Sequence, residues 1–221
     1  LYEGVDTPAG HLGLITYMRT DSVAIAVEAQ NACRDFIFAN YGPKFVPAKP
    51  NIFKSKSNAQ GAHEAIRPTD VTLTPESLKD TLDAQQLKLY KLIWRRFLAS
   101  QMAPADQLRT TADVEGTGSD ARLYTFRATA TVTTFPGFLK AYNIEEEGAA
   151  KSDDDDTRDA DALAKLRVHE PCALVDTLGE QKFTEPPPRF SEATLIKELE
   201  SNGIGRPSTY ATIVNTIQER S

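Results

Sequence analysis

Cysteine is scarce in this chain, with only Cys33 and Cys172 among 221 residues, far apart and outside any C-x-x-C unit. That argues against a disulfide framework and against a cysteine-built zinc site, and it points to reduced thiols in a cytoplasmic protein. Long apolar runs are also missing. None approaches the ~20 residues that cross a bilayer, so no membrane partner is expected. The first residues lack the basic region and apolar core of a secretory leader. The chain opens on Leu1 and not on Met, which points to an excised or processed chain. With 40% hydrophobic and 25% charged residues, the composition is that of a soluble globular protein with room for one large domain or two to three smaller ones.

Positive charge is short overall, since the net charge is −6, which ordinarily argues against a nucleic-acid partner. The deficit is local. Glu145 to Asp161 holds nine acids and two bases, a charge of −7, and leaves the remaining residues at +1. The rest of the chain is balanced enough to carry basic patches. Asp159-Ala160-Asp161 imitates the D-x-D of a magnesium site, but its flanks are polar and Ala-rich. A metal site needs carboxylates held rigidly, so this tract reads as a solvated loop and no metal is assigned to this chain.

Against these absences, Gly13-Leu14-Ile15-Thr16-Tyr17-Met18-Arg19-Thr20-Asp21-Ser22 stands out. A strand over Leu14 to Arg19 would put Ile15, Tyr17 and Arg19 on one face, the last two about 7 Å apart. A fixed cation beside a phenol favours the nucleophilic phenolate and could hold a phosphate within its reach. A half-buried strand whose Tyr packs on a snorkelling Arg explains the same residues. Asp21 or Ser22 caps a helix running to about Asn40, with Val23, Val27, Phe36 and Ile37 inward and Gly42-Pro43 ending it. A basic, proline-rich connection follows, up to Asn58.

The second run is Gly61-Ala62-His63-Glu64-Ala65-Ile66-Arg67-Pro68-Thr69-Asp70. Zinc protease chemistry fails here, because H-E-x-x-H needs His where Arg67 stands. His63 and Arg67 remain as donors for a phosphate or oxyanion, or as structural residues. Thr74-Pro75 opens a helical stretch. Asp83 and Gln86 then form a capping box for a helix reaching Ala103, with Leu87, Tyr90, Ile93, Trp94 and Phe97 as its apolar stripe and Lys88, Lys91 and Arg95 beside them.

The period then switches to two. Leu108 to Val114 and Leu123 to Val132 read as an antiparallel pair around Gly116-Thr117-Gly118, with a third strand over Cys172 to Thr177. Glu185-Pro186-Pro187-Pro188 is a stiff linker. Ser191 caps a helix with Leu195, Ile196 and Leu199 inward, and Asn202-Gly203-Ile204-Gly205 ends it. Another helix starts at Arg206-Pro207-Ser208-Thr209-Tyr210. Arg206, Ser208 and Thr209 at its start suit a backbone phosphate, although Ser and Thr also stand there simply as caps.

Three of these runs resemble one family in the same order. Leu14 to Ser22 is similar to the active-site tyrosine motif of type IA DNA topoisomerases. Ala62 to Thr69, and Glu192 to Leu199 continued by Gly203 to Ala211, resemble its other motifs. Met18 between Tyr17 and Arg19 is closer to the bacterial topoisomerase I branch. The resemblance implies a central fragment of an α+β multidomain enzyme: a winged-helix-like tyrosine domain over 1–103, a partial antiparallel β arch over 104–182 with the acidic loop 145–161, and a helical DNA-binding piece over 183–221. It implies that the Toprim domain, with the carboxylates for Mg2+, and the C-terminal DNA-binding region lie elsewhere. It also implies ATP-independent relaxation of negatively supercoiled DNA through a 5′-phosphotyrosine. In that reaction Tyr17 is the nucleophile, Arg19 and His63 are catalytic, and Arg67, Arg206, Ser208 and Thr209 contact DNA. The implied partners are a single-stranded DNA segment and the remaining domains of the enzyme. A non-catalytic module that grips single-stranded nucleic acid is the alternative reading.

Overall fold

The core forms around one helix, Ala84–Gln101, labelled α2 because a shorter helix precedes it in the chain. Asp83 sets its start. The Asp83 carboxylate accepts from the backbone N–H groups of Gln85 (2.9 Å) and Gln86 (2.8 Å), and the Gln86 side chain accepts from the Asp83 N–H (3.2 Å). This is the reciprocal cap expected from the sequence, and it satisfies donors that the first turn would otherwise leave open. The helix buries Tyr90, Trp94, Phe97, Leu98 and Gln101 on one side. The coordinates are a computed structural model that describes residues 1–7, 10–20, 22–53, 64–142 and 162–220. The expected acidic loop over 145–161 lies outside them.

Helix α1, Val27–Tyr41, packs Cys33 and Ile37 into the same core, with Gln30 buried beside them. The Phe36 ring meets Trp94 edge-on at 5.7 Å. Gly42, at φ 93°, ends the helix and donates its N–H to the Phe38 carbonyl. The start differs from expectation: α1 begins at Val27 and has no side-chain cap. Ser22 spends its hydroxyl locally, accepting from Ala24 N at 3.2 Å, and the Ala24 carbonyl accepts from Ala65 N at 2.7 Å. The stretch before Val27 is thereby held extended against the second motif, and Val23 and Val27 face solvent. Asp21 lies outside the described residues.

Residues 71–82 form successive tight turns, not the expected helix. The Thr74 hydroxyl accepts from Ser77 N and the Ser77 hydroxyl donates back to the Thr74 carbonyl, so both side chains compete with helical bonding. The turns are tied to α2 from below. Tyr90 Oη donates to the Leu73 carbonyl (2.6 Å) and Trp94 Nε1 to the Val71 carbonyl (2.9 Å). Leu78 and Leu82 close over the core.

Two antiparallel pairs complete the mixed α/β architecture. Strands β1 (Val5–Thr7) and β2 (Gly10–Leu12) form a small hairpin, with Asp6 opposite His11. The expected long pair is present as β3 (Asp106–Thr117) and β4 (Leu123–Phe135), in register from Thr117–Leu123 to Leu108–Val132. Its alternation is real, but burial is confined to Ala130, and Phe126 is exposed. Phe135 anchors its base 4.9 Å from the Phe45 ring. The expected strand over 172–177 joins no sheet among the described residues, and Leu174 and Val175 are almost fully exposed. β propensity without a partner ladder does not make a strand.

The C-terminal piece contains α3 (Glu192–Ser201) and α4 (Tyr210–Arg220). Ser191 and Thr194 cap α3 reciprocally, as expected. Its end is a Schellman motif on Gly203 (φ 70°), with Gly203 N donating to the Glu200 carbonyl and Ile204 N to the Leu199 carbonyl. Val214 of α4 is buried, and the main core cluster draws nothing from this pair. No helix among the described residues is long and apolar enough to cross a membrane.

Candidate active site

The first two motifs meet backbone to backbone. Ile15 and Pro68 form an isolated antiparallel bridge. Around it, Thr16 N donates to the Arg67 carbonyl (2.9 Å) and Thr69 N to the Leu14 carbonyl (3.0 Å). The Thr16 side chain adds a second seam: its Oγ1 donates to the Ala65 carbonyl (2.7 Å) and accepts from Arg67 N (3.0 Å). Thr69 Oγ1 donates to the Gly13 carbonyl at 2.8 Å.

This is not the strand expected over Leu14 to Arg19. Arg67 N is taken by the Thr16 hydroxyl and Leu14 N by the Leu1 carbonyl, so the ladder is cut on both sides of the bridge. Ile15 and Tyr17 consequently do not share a face. Leu14 and Ile15 are buried, whereas Tyr17 is 50% exposed and Met18 lies beside it in solvent. The chain leaves the core at Thr16 and presents Tyr17 on the surface. Arg19 is half-buried.

Arg67 faces inward. Its side chain is 12% exposed, and its guanidinium donates to Glu64 Oε2 (2.7 and 3.0 Å) and to the Pro68 carbonyl (3.0 Å). These bonds use its donors to brace the segment that carries Thr16, which differs from the open phosphate contact expected of it. His63 lies outside the described residues. Arg206, Ser208 and Thr209 sit on the separate helical pair, all exposed. Helix α4 begins at Tyr210, the last residue of the run expected to start it, and ahead of it the Thr209 hydroxyl accepts from Arg206 N (2.9 Å) across a turn over 206–209. The Arg206 side chain donates to the Gly205 carbonyl at 2.8 Å. The structure thus joins the first two motifs and builds the third on its own scaffold.

Three contributors escaped the sequence reading. The Tyr2 ring meets the Tyr17 ring edge-on, with centroids 5.4 Å apart. Thr16 is the bracket between the motifs, and Glu64 neutralises Arg67. Nothing in residue type marks Tyr2, whereas Thr16 stands inside a recognised motif. Among the described residues no three His, Cys, Asp or Glu side chains gather as metal ligands.

Residues 1–221 match the family model described as DNA topoisomerase. The chain is 45% identical, over all of its 221 residues, to DNA topoisomerase 1 of Rickettsia felis, of which it covers 27%. It is 48% identical over 208 residues to DNA topoisomerase 1 of Escherichia coli K12, matching 94% of this chain and 22% of that protein. The structure of full-length topoisomerase I from Thermotoga maritima superposes with a TM-score of 0.69 at 34% identity, over 99% of this chain and 32% of that one. The chain therefore spans about a quarter of the length of the curated relatives it matches. A tyrosine carried out of the core on a segment stitched to the second motif is thus found in a chain matched from end to end, and the chain belongs to the bacterial type IA DNA topoisomerase family.

Proposed function

We propose that this chain supplies the nucleophile of a type IA topoisomerase that relaxes negatively supercoiled DNA without ATP. Tyr17 Oη attacks a phosphodiester of a single-stranded segment. The bond from phosphorus to the 3′ oxygen breaks, a 3′ hydroxyl leaves, and a 5′-phosphotyrosine remains. The intact strand passes through the gap. The 3′ hydroxyl then attacks the phosphotyrosine, restoring the backbone and releasing the phenol. The covalent link conserves the phosphodiester bond energy, so resealing needs no other energy source.

The single observation that carries this reading is the seam between the motifs, which leaves a half-exposed phenol on a firmly held backbone. Arg19 stabilises the phenolate and the charge developing on the phosphoryl oxygens. His63 positions the phosphate, and Arg206, Ser208 and Thr209 hold the DNA backbone on the helical piece. In this reading residues 1–103 are the winged-helix-like tyrosine domain, 104–182 part of the β arch and 183–221 the helical DNA-binding piece. Mg2+ belongs to the Toprim carboxylates of the complete cytoplasmic enzyme.

The test is adduct formation. End-labelled single-stranded DNA is incubated with the enzyme carrying this chain, quenched in detergent and run on a denaturing gel. A protein-linked band that disappears in Tyr17→Phe is expected. A band equally strong in Tyr17→Phe would remove Tyr17 as nucleophile. Binding with no band at all would favour the non-catalytic nucleic-acid module.

A further inference from the structure

We infer that Tyr2 is a positioning residue for Tyr17, a role that rests on Tyr17 being the nucleophile. Beyond Thr16 the backbone belongs to no helix or strand, so no regular element fixes the direction of the Tyr17 ring. An edge-on aromatic neighbour does so by its quadrupole and its bulk. Tyr2 is that neighbour, with ring centroids 5.4 Å apart and planes inclined at 61°. Both residues keep roughly half of their surface open, 44% for Tyr2 and 50% for Tyr17, so the contact restrains Tyr17 without covering it.

The placement of Tyr2 is built into the backbone. Leu14 N donates to the Leu1 carbonyl at 2.7 Å, which closes residues 1 and 14 on each other across the β1–β2 hairpin. At Gly13 a Cβ would stand 2.7 Å from the Tyr2 carbonyl oxygen, so the close crossing of residues 2 and 13 requires glycine. Gly4, at φ 119°, has the His11 imidazole against the space its own Cβ would fill, so the hairpin folds tightly down on its lead-in. His11 is in turn held by Asp6 at 2.8 Å. The segment that ends in the nucleophile thus carries its own aromatic guide fifteen residues upstream.

The guide acts through its ring and not its hydroxyl, which separates three variants. Tyr2→Phe keeps the ring, Tyr2→Leu keeps apolar bulk without the aromatic edge, and Tyr17→Phe reports whether the chemistry uses Tyr17 at all. Single-turnover adduct formation is measured in the complete enzyme at saturating single-stranded DNA, with the DNA Kd measured alongside. Tyr2→Leu should slow the step about 2- to 10-fold, the range of one aromatic pair, while Kd stays within about 2-fold. Tyr2→Phe should restore the wild-type rate. Contact is read independently by incorporating 3-fluorotyrosine and assigning the Tyr17 resonance from its loss in Tyr17→Phe. That resonance should move in Tyr2→Leu and keep its ring-current shift in Tyr2→Phe. The inference is overturned by a Tyr17 resonance indifferent to Tyr2→Leu, by an unchanged rate, by Tyr2→Phe as slow as Tyr2→Leu, or by a defect confined to Kd. An adduct absent from wild type defeats the nucleophile assignment instead, and with it this role, even where the fluorine shift confirms the ring contact.

Discussion

Replacing Thr16 by Val tests whether the seam between the motifs holds the nucleophile. The two side chains have similar shapes, so the change removes the hydroxyl with little alteration of packing. That hydroxyl makes two short bonds, one given to the Ala65 carbonyl at 2.7 Å and one received from Arg67 N at 3.0 Å, besides a longer contact to the Arg67 carbonyl at 3.4 Å. Each contributes about 1 kcal/mol net, and the Arg67 N–H is left without its acceptor in a half-buried site, so a loss of about 2 kcal/mol is expected. For a chain of this length that is a fall of about 4–8 °C in the thermal midpoint. Thr16→Ser keeps both bonds and loses only a methyl group, at a cost below about 1 kcal/mol. The same pair should separate in adduct formation, because Tyr17 follows Thr16 directly and nothing regular holds it farther on. Thermal melts of the chain and single-turnover adduct assays of the enzyme measure the two effects. A Thr16→Val midpoint within 1 °C of wild type, or a Ser variant as damaged as the Val variant, would refute the hydrogen-bond account.

Gly137→Ala should destabilise strongly, since φ there is +47° and a Cβ would collide with the Pro104 carbonyl; about 1–3 kcal/mol is expected from the backbone conformation alone, and an unchanged urea midpoint would contradict it. Asp83→Ala removes the acceptor for two N–H groups of α2 and should cost about 1 kcal/mol by urea unfolding, whereas Asp83→Asn should recover most of it. Burial pushes the Cys33 thiol up to about 12, so at pH 8 it carries almost no thiolate, while Cys172 is exposed. A disulfide-exchange reagent should therefore titrate one thiol quickly in the folded chain and two after unfolding, and two fast thiols in the folded chain would contradict the burial of Cys33.

What could be read in advance divides along a physical line. The Asp83 and Ser191 caps, the apolar stripe of α2 and the β3–β4 pair were legible because each depends on neighbours within one element or one hairpin. The misses depend on bonds between distant segments. Ser22 looks like a helix cap until the Ala24 carbonyl is found to be claimed by Ala65. Leu14 to Arg19 looks like a strand until Arg67 N, which a ladder would give to the Thr16 carbonyl, is found on the Thr16 hydroxyl. Cys172 to Thr177 has the composition of a strand and, among the described residues, no ladder to join. The site divides in the same way: the three motifs were visible as motifs, but the inward use of Arg67, the bracket made by Thr16 and the ring of Tyr2 against Tyr17 come only from the fold.

The failure of the Leu14–Arg19 strand bears on the chemistry. In a regular strand, Tyr17 would share a face with Ile15, which is buried, and its phenol would point into the core. Because Arg67 N bonds the Thr16 hydroxyl and not its carbonyl, the ladder stops after one bridge and Tyr17 turns out to solvent. The side-chain bonds of Thr16 then supply the rigidity that the missing ladder would have given. A covalent nucleophile must be both reachable by a polymer phosphate and held within a fraction of an ångström of its line of attack. Interrupted pairing meets the first need, and the Thr16 bracket with the aromatic neighbour at residue 2 meets the second. The hydroxyl that interrupts the ladder is part of what makes Tyr17 usable, and Thr16→Val should therefore perturb adduct formation more than its effect on stability accounts for.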